Sequence, residues 1–170
     1  YGVIEYQVPE LLNTYTAEFE FWCGANNGDG VGIFFYSNCQ QTPGESEGHG
    51  QVASGYKGYL FAADPTWNDF TVRYDGQWLF QPPGLLTNMD NSLWHKVKVV
   101  VTDKIINAQI DLYYDDTLAR TCHDVMHTKD LSGTLAGFGA GKLSGSQEIR
   151  IRNLKASYAR PIDSYEIWVD

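Results

Sequence analysis

Apolar and aromatic side chains recur at every second position in short runs, and almost nowhere at the three- and four-residue spacing of a helix. TYTAEFEFWC is typical, with Tyr15, Ala17, Phe19 and Phe21 on one side and Thr16, Glu18 and Glu20 on the other. Glycine, proline and asparagine punctuate these runs, as turns between strands require. The pattern predicts strands at Tyr15–Cys23, Val31–Ser37, Tyr59–Ala62, Asn68–Tyr74, His95–Thr102, Asn107–Tyr114, Thr134–Gly139 and Glu148–Tyr158. Shorter runs at Gly2–Val8, Trp78–Phe80 and Asp116–Thr121 add three more. About ten strands without crossover helices imply an all-β antiparallel sandwich.

With 170 residues the chain fits one domain, able to bury roughly 70% of its unfolded surface in a single core. The formal net charge is −9 and the cations are scattered, so no basic stripe exists to follow a phosphate backbone, and nucleic acid is not expected as a partner. Apolar runs such as Val31–Tyr36 fall far short of the ~20 residues that span a bilayer, so no transmembrane segment is expected. Tyr1 in place of an initiating Met fits a processed, secreted or cell-surface protein.

The stretch GDGVGIFFY sets Asp29 between two glycines at the start of a strand, where a carboxylate either forms a turn or accepts from a ligand. Two long segments, Asn38–Gly58 and Gly76–Ser92, interrupt the strand pattern, and loops of that length are usually functional or mobile. The second carries Trp78 and Phe80, which suit either a stacking platform or a core plug. The three cysteines match no zinc or redox spacing. If Ala17–Cys23 and Val31–Ser37 pair as a hairpin, Cys23 and Cys39 lie at opposite ends of it, too far apart to bridge, while Cys39–Cys122 stays open. Residues 161–170 carry Ile162, Tyr165, Ile167 and Val169, a tail too apolar for a solvated linker. It is expected to dock, or to be exchanged with a second copy, beyond a domain of residues 1–160.

Several segments in order resemble the L-type (legume-like) lectins of the concanavalin A-like lectin/glucanase group. TAEFEFWCGANNGDGVGIFFY is similar to that group's early strand, loop and acidic hinge, and GYKGYLF to a glycine-containing turn before an apolar strand. FTVRYDG stands in the place of the acidic metal-loop strand, and GFGAGKLSGSQEIRIRNLKASY resembles the closing strand, variable loop and final strand. The resemblance spans about residues 14–158 and implies a jelly-roll sandwich with a shallow sugar site on loops at one edge. On that basis Asp29 is expected to accept hydrogen bonds from sugar hydroxyls, and Lys57 or Gly58 to offer a backbone N–H. Gly141 and Lys142 would open the loop that tunes specificity, and Trp78 and Asn88 would complete the carbohydrate-binding set. Sugars reward such a mix, because their hydroxyls donate and accept while their C–H faces stack on rings.

The resemblance has departures. Arg73 replaces the first carboxylate of the metal strand, and Gln147 stands where the group has a histidine. Asp75, with Asn88, Asp90 and Asn91 in the next loop, leaves oxygen ligands for one calcium ion. Hydrolysis needs two carboxyls about 5–5.5 Å apart for retention, or further for inversion. Glu18 and Glu20 share a strand face at roughly 6.5–7 Å and read as a solvated pair. His49, His95, His123 and His127 form no catalytic pattern. The expectation is a non-catalytic binding module for glycans. The alternative is a self-assembling extracellular subunit that keeps the fold with a degenerate sugar site.

Overall fold

A computed structural model describes residues 2–7, 14–24, 30–37, 57–65, 68–74, 77–80, 86, 89–103, 108–124, 135–141 and 148–159. These form β1 (Gly2–Gln7), β2 (Thr14–Cys23), β3 (Gly30–Ser37), β4 (Lys57–Asp64), β5 (Asp69–Tyr74) and β6 (Gln77–Phe80). They continue as β7 (Trp94–Asp103), β8 (Ala108–Tyr114), β9 (Thr117–Asp124), β10 (Leu135–Gly141) and β11 (Ile149–Ala159). Every strand read from the alternation is present, with ends displaced by up to three residues.

Two antiparallel sheets result. One has six strands in the order β1-β10-β3-β4-β5-β6, the other five in the order β11-β2-β7-β8-β9. The alternation explains their packing. Tyr15, Phe19 and Phe21 of β2, Val97, Val99 and Val101 of β7, and Ile110 and Leu112 of β8 turn inward from the five-stranded sheet. They meet Phe61, Ala63, Phe70 and Val72 of the six-stranded sheet in one core, which Met89 completes. Truncating a buried phenylalanine of such a core typically costs about 3–5 kcal/mol.

The intervening residues of β2 face away from the core, and two of them, Glu18 and Glu20, are charged. Glu20 pairs in register with Arg152 and Lys96, and Glu18 with Lys155 and Lys98. Lys155 Nζ lies 2.8 Å from Glu18 Oε1, and Arg152 Nε 2.6 Å from Glu20 Oε2. The Lys155 hydrogen bond holds the Glu18 carboxyl below its ordinary range. The Asn153 amide, then Arg152, does the same for Glu20. The pair is thus a cross-strand ladder on an outer face. A bulge between Arg152 and Lys155, with Asn153 at φ 55°, interrupts β11. The extra residue lets Ile151 and Leu154 both pack on the core.

The condition set for the cysteine argument, a hairpin of Ala17–Cys23 with Val31–Ser37, is not met. β2 and β3 do not form a hairpin, because β2 lies between β11 and β7 while β3 lies between β10 and β4 in the other sheet. Phe19 and Phe21 commit β2 to the face of the five-stranded sheet, so the five residues 25–29 cross from one sheet to the other. Cys23 is buried and Cys122 partly so, and neither is in a disulfide. Burial pushes the Cys122 thiol up. Cys39 and residues 160–170 lie outside the described residues.

Candidate functional site

Strand register decides which loops share an end of the six-stranded sheet. Gly30, first in β3, pairs with Gly141, last in β10. Val31 pairs with Ala63, so Asp64 stands one step further at the same end, and Asp64 pairs with Asp69 of β5. Four strand ends, at Gly30, Gly141, Asp64 and Asp69, therefore lie side by side. Asp29 and Lys142 are outside the described residues, but each is one peptide, about 3.8 Å, from a member of this row.

The turn between β4 and β5 is held from several directions. Asn68 adopts φ 50°, a left-handed conformation that asparagine tolerates better than most residues. Its carbonyl accepts the Leu86 N–H at 2.9 Å, and its side-chain Oδ1 accepts the Met89 N–H at 2.9 Å. The chain around Met89 and half-buried Asp90 is thereby fixed to the turn. Beyond it, the Ser92 N–H donates to the Cys23 carbonyl and Trp22 Nε1 donates to the Ser92 carbonyl, which tie the segment to the end of β2.

Buried His95 anchors the same segment. Its Nε2 lies 2.9 Å from Asn91 Oδ1, an oxygen that also accepts the Leu93 N–H. Its Nδ1 lies 2.8 Å from Asp115 Oδ2, and the ring stacks on Tyr114 at a centroid distance of 5.0 Å. Asp115 and Asp116 both take positive φ, as a two-residue hairpin turn between β8 and β9 demands. Asp64 and Asp69 are fully buried. Asp69 Oδ1 accepts the Phe70 N–H at 2.7 Å, and Oδ2 accepts from Arg120 Nη2 at 2.6 Å. Arg120 belongs to β9, so this ion pair joins the two sheets.

The other end of the six-stranded sheet holds different residues. Tyr36 pairs with Gly58, Ser37 with Lys57, Tyr59 with Tyr74, and Arg73 with Trp78. From Gly30 to Tyr36 is about 20 Å along the strand. Lys57, Gly58 and Trp78 are therefore not brought to the row at Gly30 and Gly141. The reason is strand direction: β3 runs away from that row and β4 runs back, so the start of β4 faces the end of β3.

The same geometry divides the metal set expected from the sequence. Asp75 and Asn88 are outside the described residues. Asp75 follows Tyr74, at the far end of β5, whereas Asp90 adjoins Met89 beside Asn68 at the near end. Tyr74 and Asp69 stand at opposite ends of the six residues of β5. The carboxylates at the near end do not supply a replacement set: both Asp69 oxygens are engaged, and among the described residues no three His, Cys, Asp or Glu side chains gather as a metal would need.

Asp64, Asn68, Asp69 and Arg120 escaped the sequence argument, whereas Asn91, expected among the oxygen ligands of the metal loop, is instead bonded to His95. The signal for the first three was DPTWND, an Asp-Pro and an Asn-Asp between apolar runs. Nothing local marks Arg120, whose partner is 51 residues away. Elsewhere, His123 is exposed on β9, and His49, His127 and Gln147 lie outside the described residues.

No family model matches the chain, and no curated protein sequence matches it. Solved structures do. The exoplasmic/lumenal domain of VIP36, in a form with bound Ca2+ and Man3GlcNAc, has a TM-score of 0.62 at 13% identity, covering 95% of this chain and 75% of that one. The carbohydrate recognition domain of Emp47p has a TM-score of 0.61 at 13% identity over 91% and 74%. That of Emp46p, in a metal-free form, has 0.57 at 16% identity over 90% and 73%. At such identities the likeness is one of architecture, and it agrees with the two antiparallel sheets described above: the chain has the jelly-roll fold of the L-type lectin domains.

Proposed function

We propose that this chain is a non-catalytic carbohydrate-binding module whose site lies at the end of the six-stranded sheet marked by Gly30 and Gly141. The pairing of those two glycines carries the reading. It ties the backbone on which Asp29 sits to the strand that opens into Lys142 and the loop beyond. Asp29 accepts hydrogen bonds from sugar hydroxyls, charge-assisted and therefore worth roughly 1.5–3 kcal/mol each. The loop from Gly141 selects among sugars. Lys57, Gly58 and Trp78 contribute only to a second contact, at the opposite end. Because VIP36 structures contain mannose oligosaccharides, mannose-type glycans are the first class to test. The VIP36 domain is exoplasmic or lumenal, which supports placement outside the cytosol, at the cell surface or secreted.

Hydrolysis is disfavoured because Glu18 and Glu20, the carboxyl pair nearest to a catalytic spacing, are each bound by cations on an outer face. The deciding experiment is a glycan array probed with the wild-type chain and Asp29→Asn. Binding that the substitution weakens several-fold supports the proposal, and a silent array with folded protein removes it.

One observation favours assembly as a second reading. Among the described residues β9 pairs only with β8, and Leu118 on it is 51% exposed, so it presents an open sheet edge. Residues 161–170 of a second copy would cover such an edge as an added strand. Deleting 161–170 should then turn oligomers into monomers in light scattering. A chain that is monomeric with and without the tail ends this reading.

A further inference from the structure

We propose that the outer face of the five-stranded sheet carries a second carbohydrate subsite, built by Arg150 and Arg152 over Trp22 and Trp94, which takes a sugar residue bearing a single carboxylate. Trp22 and Trp94 are register partners on β2 and β7, and Arg150 is the register partner of Trp22 on β11. The Arg150 guanidinium lies over the Trp22 ring, 4.8 Å from its centroid. Arg152 reaches across β2 to lie over the Trp94 ring at 3.8 Å. Each stack is held by the attraction of a cation to the electron-rich face of an indole.

The cations are also fixed from the side. Glu148 accepts from Arg150 Nε at 2.6 Å and from Nη2 at 2.9 Å. Glu20 accepts from Arg152 Nε at 2.6 Å and from Asn153 Nδ2 at 2.8 Å, and Trp22 Nε1 donates to the Ser92 carbonyl. Both guanidinium groups are thereby placed before any ligand arrives, which reduces the entropy lost on binding. They stay accessible, with the Arg150 and Arg152 side chains 54% and 49% exposed.

The hydrogen-bonding capacity left over has one polarity. All four carboxylate oxygens of Glu20 and Glu148 accept within the cluster. Arg152 Nη1 and Nη2, Arg150 Nη1 and Trp94 Nε1, all donors, have no acceptor among the described residues. Such a surface selects an anionic partner, and the guanidinium edge matches the two oxygens of a carboxylate. Charge and size narrow the partner further. The two arginines are two residues apart on one strand, roughly 6.5–7 Å. Each already has its own carboxylate, on a chain of net charge −9. That field repels a polyanion or a run of acidic side chains far more than one carboxylate. Leu93, next to Trp94 in the chain and 60% exposed, offers an apolar surface to the C–H face of a sugar ring.

This subsite rests on the reading of the chain as a glycan-binding module, but not on the site at Gly30 and Gly141, and the test separates the two. The intact chain is titrated with glucuronic acid and with N-acetylneuraminic acid, followed by tryptophan fluorescence and by the indole N–H resonance of Trp94. At least one acid should shift that resonance, and its methyl ester, which lacks the charge, should bind at least tenfold more weakly. Arg152→Gln should lose about tenfold in affinity for the acid, while Asp29→Asn leaves it unchanged. Arg152→Lys, which keeps the charge without the planar fork, should lose several-fold and serves if Arg152→Gln does not fold. A folded chain that binds neither acid overturns the proposal, as does an ester that binds as well as its acid, or unchanged affinity in the arginine variants. A glutamate-rich peptide that shifts the Trp94 resonance at lower concentration than either acid would make this a peptide-docking surface and remove the sugar. Binding of the acid by a chain that ignores mannose-type glycans would count against the site at Gly30 and Gly141 and support this one.

Discussion

Two sets of ion pairs in this molecule are built from the same chemistry in opposite surroundings. On the outer face of the five-stranded sheet, Glu18 and Glu20 meet Lys155, Arg152 and Lys96 in water, along strands already joined by backbone hydrogen bonds. Between the sheets, Asp69 meets Arg120 away from water, and no backbone ladder joins β5 to β9. Solvent screens the first set, so each link adds little. The second is largely unscreened, and either partner left alone is a buried charge. The contrast teaches that number of contacts and consequence are unrelated here: the ladder is longer, but the single pair joins the two sheets at the end where the sugar site is proposed.

The sharpest way to break that contrast is to remove one partner of each set. Arg120→Met should destabilise the fold by about 3–5 kcal/mol in urea unfolding, the usual result of stranding a buried charge. Lys155→Ala should leave the urea midpoint nearly unmoved. Equal effects would show that the two environments do not differ as described.

Between these extremes lies His95, whose ring nitrogens both have oxygen partners. His95→Leu keeps the volume and removes both bonds, at an expected cost of about 1–3 kcal/mol. The loss should appear as faster amide exchange at Ser92 and Leu93, not throughout the sheets. A smaller effect of opposite sign is expected at Tyr114, whose hydroxyl is buried without a hydrogen-bond partner. Burial drives its ionisation well above the ordinary tyrosine range. Tyr114→Phe should therefore stabilise the chain by up to about 1 kcal/mol.

The ladder makes its own prediction through pH. Glu18 and Glu20 are held below the ordinary value of 4.5 by their hydrogen-bonded partners. Carboxyls depressed on folding add stability that is present above that ordinary value and is lost as pH falls through the lower folded one. Urea midpoints should thus decline on acidification below about 4.5, and Glu18→Gln with Glu20→Gln should make the decline slightly shallower. A pH profile unaltered by the double substitution would show that the ladder contributes nothing.

The sequence made the strands legible because alternation is a local property: each residue of β2 or β8 declares its face by its own polarity. The split of β2 and β3 between two sheets was not legible, since the five residues 25–29 suit a hairpin or a crossing equally well. Candidate positions followed the same division. Asp29 and Gly141 can be linked by reading motifs in order, because strand ends that neighbour each other both carry glycine. Gly58 and Trp78 were assigned to the same cluster because motif order says nothing about which end of an antiparallel strand a residue occupies. Arg120 could not be found at all, as its meaning depends on a partner in another sheet.

The crossing at residues 25–29 has a mechanical consequence. Gly24 closes the described part of one sheet and Gly30 opens the other, so this short span is a tether across the seam along which the sandwich would be pried apart. A ligand bound at the proposed site, through Asp29 and the loop after Gly141, would clamp that seam from outside, in parallel with the Arg120–Asp69 ion pair within it. Pulled from its two ends, the liganded protein would yield at a higher force than the free one, and that rise would report occupancy whatever the sugar.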